Sequence, residues 1–393
     1  MQKSTVSKYA LYLFIVHMCC LIINGTSYFN IGDRSVLYLL IILISFFGRM
    51  FVNKGKAIQP FFTNERRIAM VMVFFTFYSI FFVNTNYQTG TFLASEVFFL
   101  LIYSWTFNDF DEIQIKQLKN AYIFSALILA IGIMVSRYQP YSGSMASRMP
   151  IMSYTGAFYD VNFLTSYIAI PTILVLNDFI TKKESKLFNF VLLIVLTLSI
   201  LLGGSRTALA VIFIALLLLF WNHKRLSGST LFIIMVIFLA ANIAIRFLPQ
   251  DMMQHYLRGI VVTDDSRRMN DWSYGISLIS QAPLFGSGMV STRSLIIMYY
   301  QKTWITVHNT YLAIFVNYGL IFGSLIIMMM AIPLYRMFKF KAPIEYQISY
   351  IMYLVSILVI EANFSDIMII PICIYFAIAN YYKYQYNRVS QLE

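Results

Sequence analysis

Long apolar runs that alternate with short polar segments are the dominant pattern of this chain. Several of the runs are 16 to 20 residues long, and a helix of that length crosses a hydrocarbon core of about 30 Å. We therefore predict an all-α integral membrane protein with about twelve spans, in which residues 1–393 form one polytopic domain. The predicted spans are residues 9–24, 35–52, 67–83, 91–107, 121–136, 160–177, 187–202, 206–221, 230–247, 309–335, 346–363 and 366–382.

The composition agrees with this prediction and excludes several classes of protein. Apolar residues make up 59% of the chain and charged residues 12%, whereas soluble domains carry about 25% charged residues. A soluble enzyme, a disordered chain and a secreted disulfide scaffold are therefore excluded. All three cysteines lie in apolar runs, where a thiol behaves as a small apolar side chain.

The net charge of +12 follows the predicted topology. With both termini in the cytoplasm, 18 of the 29 Lys and Arg residues fall on the inner side, and every inner loop contains Lys or Arg. This distribution obeys the positive-inside rule. The basic charge therefore indicates orientation in the cytoplasmic membrane, and no nucleic-acid partner is needed to explain it.

The ten basic residues on the predicted outer side differ from the inner ones, because nine of them are arginine. A guanidinium group grips phosphate or carboxylate through two parallel hydrogen bonds, whereas lysine acts as a hydrated point charge. We therefore expect an anionic ligand at the outer face. The alternative for each arginine is a structural pairing with a nearby aspartate. The arginines considered as ligands are Arg137, Arg148, Arg206, Arg267 and Arg268.

One predicted outer loop, residues 248–308, is far longer than an ordinary connection, and such loops are often functional. Within it, residues 272–281 and 295–300 are apolar enough to form helices on the membrane surface. The loop ends at His308 and Asn309, where the chain re-enters the membrane. A neutral imidazole there can accept a proton from a hydroxyl group near pH 7, although a lone histidine is more often structural.

Two further stretches place polar residues at predicted helix starts. In the segment Gly-Gly-Ser-Arg, Ser205 caps a helix and leaves Arg206 in its first turn. A cation there opposes the helix dipole, so a bound anion explains it better than helix stability does. At the other stretch, Asp160 and Asn162 open a span, and a helix cap explains them as well as a substrate contact does.

The segment Asp109-Phe110-Asp111 has the form of a metal-binding Asp-x-Asp motif, but it precedes a helix-like stretch on the predicted inner side. Acidic residues are common at helix starts, and we interpret the motif as a cap. We expect neither a metal ion nor a cofactor, and the sequence contains no Walker-type loop or Rossmann fingerprint.

Taken in order, several short motifs resemble the O-antigen ligase and Wzy-type polymerase superfamily. They are Gly-Ala-Phe-Tyr-Asp-Val-Asn before one span, Ser-Arg opening another, Arg-x-x-x-x-Trp and Pro-Leu-Phe-Gly-Ser-Gly in the long loop, then His-Asn-x-x-Leu and Gly-Leu-x-x-Gly. The resemblance covers residues 156–335. Two positions depart from the family pattern: Val161 stands where proline is frequent, and Asn317 stands where glutamate is frequent.

The resemblance implies a GT-C-like, metal-independent membrane glycosyltransferase whose saccharide donor is carried on polyprenyl diphosphate, such as undecaprenyl diphosphate. It further implies that Arg206, with Arg267 or the adjacent Arg268, holds the diphosphate and that His308 activates the acceptor hydroxyl. The secondary candidates for substrate contacts are Arg137, Arg148, Asp160, Asn162 and Asn309.

Three functions are compatible with these expectations. The first is a polymerase that joins lipid-linked repeat units into capsule, exopolysaccharide or O-antigen at the outer face, with a chain-length regulator and a flippase as candidate partners. The second is a ligase that uses the same donor with a lipid or wall acceptor. The third is a transporter or flippase, which is less favoured because charge is scarce within the predicted spans.

Overall fold

The computed structural model describes residues 11–12, 14–16, 18–19, 30–31, 34–35, 110–137, 161–181, 185–223, 265–288, 290–302, 306–361 and 366–391. Within these ranges the secondary structure is helical apart from one antiparallel pair of short strands, β1 (Asn30–Ile31) and β2 (Arg34–Ser35). The longer helices are α1 (Glu112–Arg137), α2 (Val161–Thr181), α3 (Lys186–Gly203), α4 (Arg206–Asn222), α5 (Asp265–Gln281), α6 (Thr292–Tyr300), α7 (Thr310–Lys339), α8 (Ile344–Ser356) and α9 (Asp366–Val389).

Among the described helices, α1, α2, α3 and α7 are long and apolar enough to cross a membrane, and α4 is apolar but shorter. These helices coincide with five of the predicted spans. The prediction of a helical multi-pass membrane protein is confirmed to this extent. The number of twelve spans, the GT-C-like arrangement and the single domain over residues 1–393 stay predictions.

The other predicted spans meet different outcomes, and the span 9–24 is described only at residues 11–12, 14–16 and 18–19, which are helical. Residues 36–52, 67–83, 91–107 and 230–247 lie outside the described residues, whereas 366–382 lies within α9. In the predicted span 346–363, α8 ends at Ser356, and residues 357–361 are not helical. In the segment that follows, the carbonyl groups of Ile357 and Ile360 accept hydrogen bonds from Thr310.

The chain divides into two compact units, each made of separate stretches of sequence. The first unit comprises Met1–Tyr122, Arg268–Ala342 and Ile357–Glu393, and the second comprises Ile123–Arg267 and Pro343–Ser356. In the first unit α7 packs along α9. In the second unit α2 is central and packs against α3, α4 and α8.

The core of the second unit is built on α2, in which every residue from 164 to 177 is buried. Two of its polar side chains, Tyr167 and Thr172, are hydrogen-bonded within this core. The Thr172 hydroxyl donates to the Ile168 carbonyl at 2.8 Å, and the Tyr167 and Ser125 hydroxyls are 2.9 Å apart. An apolar helix with such internal pairing is suited to the interior of a membrane protein.

By contrast, α3 and α4 expose large apolar side chains. The side chains exposed on α3 are Leu187, Phe188, Phe190, Val191 and Ile194, and those on α4 are Phe213, Ile214, Leu217, Leu218 and Trp221. A soluble protein rarely exposes an apolar surface of this extent. We therefore expect the lipid tails to cover these two helices.

Candidate active site

His308 lies immediately before α7, at the end of the long loop. Its backbone adopts the left-handed conformation, with φ of 47°. His308 is exposed. The next residue, Asn309, is the N-cap of α7, and its side-chain oxygen accepts a hydrogen bond from the Leu312 N–H at 3.0 Å. Because this cap fixes where the helix begins, it presents the His308 side chain outside the first helical turn.

Thr310, the first residue of α7, anchors this helix start to the segment that follows α8. Its backbone N–H donates to the Ile357 carbonyl at 3.1 Å, and its hydroxyl donates to the Ile360 carbonyl at 2.6 Å. Thr310 is fully buried. Two hydrogen bonds to one neighbouring segment therefore hold the backbone that carries His308.

Glu361 ends that segment and is not among the site residues predicted from the sequence. The Thr292 hydroxyl at the start of α6 donates to a Glu361 carboxylate oxygen at 2.5 Å. This bond joins α6 to the segment on which Thr310 is anchored. Glu361 lies near the outer end of a predicted span, and an ionisable residue in that position is a functional candidate by default, so the signal for it is present in the sequence.

Helices α5 and α6 form a small apolar cluster with Val307, which precedes His308, and with Val316 of α7. The buried members of this cluster are Leu278, Leu295, Ile296, Val307 and Val316. Gly275 of α5 lies so close to Val307 that an added Cβ atom would be 2.9 Å from the valine side chain. The two helices predicted within the long loop are thereby confirmed, and together they support the residue that precedes His308.

The turn of residues 283–288, with the sequence Pro-Leu-Phe-Gly-Ser-Gly, binds α7 at a point where that helix is interrupted. The interruption is at Gly319, which has φ of 65° and ψ of −175°. In a regular helix the carbonyls of residues 316 and 317 would accept from the N–H groups of residues 320 and 321. These four backbone groups are paired with the turn instead.

The pairing is reciprocal. The carbonyls of Val316 and Asn317 accept from the N–H groups of Ser287 and Gly288, at 2.7 and 3.1 Å. The N–H groups of residues 320 and 321 donate to the carbonyls of residues 283 and 284, at 2.7 and 3.2 Å. Backbone groups must be paired within the protein at membrane depth, and the turn supplies the partners. We call residues 283–288 together with 316–321 the turn–helix interlock.

Two glycines make this close approach possible. A Cβ atom added to Gly286 would lie on the Asn317 carbonyl oxygen, and one added to Gly319 would lie on the Leu284 carbonyl. Both glycines also have positive φ angles, which residues with a side chain rarely adopt. The interlock therefore explains why these glycines occur in the two motifs that meet here.

Asn317 stands at the interlock, at the position where glutamate is frequent in the family pattern. Its side chain is only 3% exposed, and its amide oxygen has no hydrogen-bond partner within the described part of the chain. An amide oxygen can accept a hydrogen bond but does not exchange protons near neutral pH. This residue is therefore suited to hydrogen bonding and not to acid–base catalysis.

In the second unit, the turn between α3 and α4 carries Arg206. Gly204 adopts the left-handed conformation with φ of 73° and ends α3, and the Ser205 hydroxyl accepts from the Ala208 N–H at 3.3 Å. The predicted cap is confirmed. Arg206 is the first residue of α4 and is half-buried. Its side chain thus begins at the positive end of the helix dipole, where an anion is favoured.

The remaining candidates are spread over several helix ends. Arg267 and Arg268 lie in the first turn of α5, and Arg137 is the last residue of α1. Asn162 lies in the first turn of α2 with its side chain exposed. Arg148 and Asp160 lie outside the described residues. None of these placements by itself assigns a role.

The Asp-x-Asp motif provides a helix cap. The Asp111 carboxylate accepts from the Gln114 N–H at 2.8 Å, and the Gln114 side chain accepts from the Asp111 N–H at 2.9 Å. This reciprocal pair is a capping box at the start of α1, so the interpretation of Asp111 as a cap is confirmed, whereas Asp109 lies outside the described residues. Over the ranges that the structure describes, no three metal-ligating side chains gather.

Comparison with known protein families gives a match to part of this chain. The family model of O-antigen ligases matches residues 190–328, a segment that contains Arg206, His308 and the whole interlock. Comparison with curated proteins gives no match. The family match supports a function of the O-antigen ligase or polymerase type. It confirms, for residues 190–328, the similarity to the O-antigen ligase and Wzy-type polymerase superfamily that the order of the sequence motifs indicates.

Proposed function

We propose that the protein is a membrane glycosyltransferase that polymerises oligosaccharide repeat units carried on polyprenyl diphosphate. The observation that carries this proposal is the position of His308 between buried Val307 and the buried cap Asn309, within the segment similar to O-antigen ligases. An exposed imidazole on a fixed backbone is suited to proton transfer. The proposal includes a GT-C-like fold of about twelve spans, cytoplasmic termini and an active site at the outer face of the cytoplasmic membrane.

In the proposed reaction, His308 accepts the proton of an acceptor sugar hydroxyl, and the oxygen forms a bond to the anomeric carbon of the donor sugar. The bond between that carbon and the diphosphate oxygen breaks, and the polyprenyl diphosphate leaves with the electron pair. The proton on His308 is then released to solvent or to the leaving group. For a polymerase, the donor is the growing chain on its lipid and the acceptor is the next lipid-linked repeat unit.

The diphosphate is held by Arg206 with Arg267 or Arg268 in this proposal. Paired guanidinium groups neutralise the charge that develops on the leaving group, which lowers the barrier without a metal ion. The start of α4 adds N–H groups that favour an anion. Arg137, Arg148, Asp160 and Asn162 remain secondary candidates. Asn309 caps α7, and we propose that it acts by positioning His308.

A ligase is the second candidate, and the description of the matching family favours it. It would use the same donor site, the same arginines and the same base, and it would transfer the finished glycan to a lipid or wall acceptor. The two candidates therefore differ in the acceptor and not in the chemistry of the leaving group. A flippase for the same lipid-linked saccharide is the candidate from another class, and it would form no glycosidic bond.

The experiment that tests the proposal is the length distribution of lipid-linked saccharide in membranes of a strain that lacks the protein. We expect single repeat units to accumulate at the outer face with no polymer. Long chains that remain on the polyprenyl carrier would replace the polymerase by the ligase. Single units confined to the inner leaflet would contradict both and indicate the flippase.

A further inference from the structure

Basic residues gather where the C-terminal ends of α7 and α9 meet in the first unit. The Arg336 guanidinium of α7 donates to the Asn380 amide oxygen of α9 at 2.6 Å, and Arg336 is only 9% exposed. Lys339 and Lys383 each follow one helical turn later, three residues beyond a member of this pair. Residues three apart share a helix face, so the Arg336–Asn380 bond sets the register that brings both lysines to the same end.

These cations are close enough to influence one another. Partial burial lowers the pKa of Lys383, and the positive charges of Arg336 and Lys339 lower it further. The carboxylates of Asp111 and Glu112 act on Tyr381, two residues before Lys383 in α9. An anion bound beside Arg336, Lys339 and Lys383 would relieve the mutual repulsion of these three cations.

Aromatic rings surround the same cations. The Lys339 ammonium lies 5.5 Å from the centre of the Tyr335 ring and 5.7 Å from that of Phe340. Phe340 in turn contacts Tyr386 of α9, with ring centres 5.5 Å apart. Aromatic and basic residues at the end of an apolar helix are typical of the level of lipid headgroups, and the sequence predicts that this end is cytoplasmic.

We propose that Arg336, Lys339 and Lys383 bind the phosphate group of an anionic phospholipid in the cytoplasmic leaflet. Basic pockets between helices at this side are suited to anionic headgroups. A phospholipid also supplies acyl chains for the neighbouring apolar helix surface, which inorganic phosphate does not. The site is independent of the proposed glycosyl transfer at the opposite face.

The test uses the purified full-length protein in neutral detergent, titrated with phosphatidylglycerol and, separately, with phosphatidylcholine. Native mass spectrometry measures lipid binding, and the melting temperature reports its effect on stability. We expect phosphatidylglycerol to bind preferentially and the double variant K339Q/K383Q to bind it at least about tenfold more weakly. Arg336 is kept, because its bond to Asn380 holds the two helices together.

The matched control is K116Q/K186Q, which removes the same charge from two exposed lysines elsewhere on the predicted inner side. It should bind phosphatidylglycerol as the wild-type protein does. Equal weakening in both double variants would overturn the proposal in favour of diffuse attraction. Unchanged binding by K339Q/K383Q would also overturn it, and an equal rise in melting temperature with inorganic phosphate would contradict a lipid as the ligand.

Discussion

The start of α7 carries the candidate base His308 and the turn between α3 and α4 carries the candidate diphosphate ligand Arg206, but the two regions are built differently. The α3–α4 turn is local: Gly204, Ser205 and Arg206 are consecutive, and the capping bond spans three residues. The start of α7 depends on distant segments, because Thr310 binds carbonyls 47 and 50 residues further along the chain.

Like the start of α7, the turn–helix interlock depends on contacts between distant segments. It joins residues 283–288 to an interruption within α7 through four backbone hydrogen bonds, with no side-chain group among the donors or acceptors. The α3–α4 turn therefore follows from neighbouring residues, whereas the start of α7 and the interlock require several segments to fold together. Substitutions should therefore affect the two regions through different physical causes.

The largest effect is expected for His308→Ala. Removal of a general base lowers a rate by about 10²- to 10⁴-fold, which corresponds to about 3 to 5 kcal/mol in the activation free energy. Polymer formed by purified protein from lipid-linked repeat units measures this loss. The control His223→Ala removes an imidazole that contacts the Asn177 amide oxygen at 3.0 Å, and it should retain polymer synthesis. If His308→Ala retained as much polymer synthesis as an active His223→Ala control, His308 would be excluded as the base.

The second largest effect is expected at the turn–helix interlock, where a substitution should lower the stability of the folded protein. Gly319→Ala introduces a Cβ atom onto the Leu284 carbonyl at a backbone conformation that favours glycine, and we expect it to cost about 3 kcal/mol or more. Thermal unfolding in detergent and the protein level in membranes measure it.

Gly323→Ala, in the same Gly-Leu-x-x-Gly motif, is the control for that variant. Its Cβ atom would meet the Phe315 ring at 2.7 Å, and a ring can rotate away while alanine favours the helix. Its melting temperature should stay close to the wild-type value. Similar losses in both glycine variants would mean that the interlock has no special importance for stability.

Arg206→Lys tests the role of the turn between α3 and α4. Lysine keeps the charge but loses the two-pronged hydrogen bonding of the guanidinium, so we expect a fall in polymer synthesis of about ten- to hundredfold with an unchanged melting temperature. Arg388→Lys, on the exposed end of α9, is the matched control and should be fully active. Full activity of Arg206→Lys would remove Arg206 from the diphosphate site.

The smallest effects are expected for substitutions at the starts of α4 and α7, which can be compared directly. Ser205→Ala removes a cap and should cost about 1 kcal/mol. Thr310→Val leaves the Ile360 carbonyl without the hydroxyl that donates to it at 2.6 Å, and such a loss costs about 1 to 3 kcal/mol. Chemical unfolding of the two variants measures the difference. A larger loss for Ser205→Ala would reverse our view of which helix start depends more on hydrogen bonding.

Much of the fold could be predicted because its signals are local. The apolar runs identify α1, α2, α3, α4 and α7, since burial in lipid requires continuous apolar helices. The capping box at Asp111, the cap at Ser205 and the helices in the long loop also follow from short patterns. Glu361 was not predicted as a site residue, because a single acidic residue near the end of a span carries a weak signal on its own.

Neighbouring residues alone indicate the membrane class of the protein, several helix boundaries and the family resemblance, because hydropathy, caps and motif order are local properties. Contacts between distant segments are needed to show that α8 ends at Ser356, that α7 is interrupted at Gly319 and that the Pro-Leu-Phe-Gly-Ser-Gly turn fills this interruption. The physical reason is that backbone hydrogen bonds between distant segments leave no pattern in side-chain polarity. They become visible only when the chain has brought those segments together.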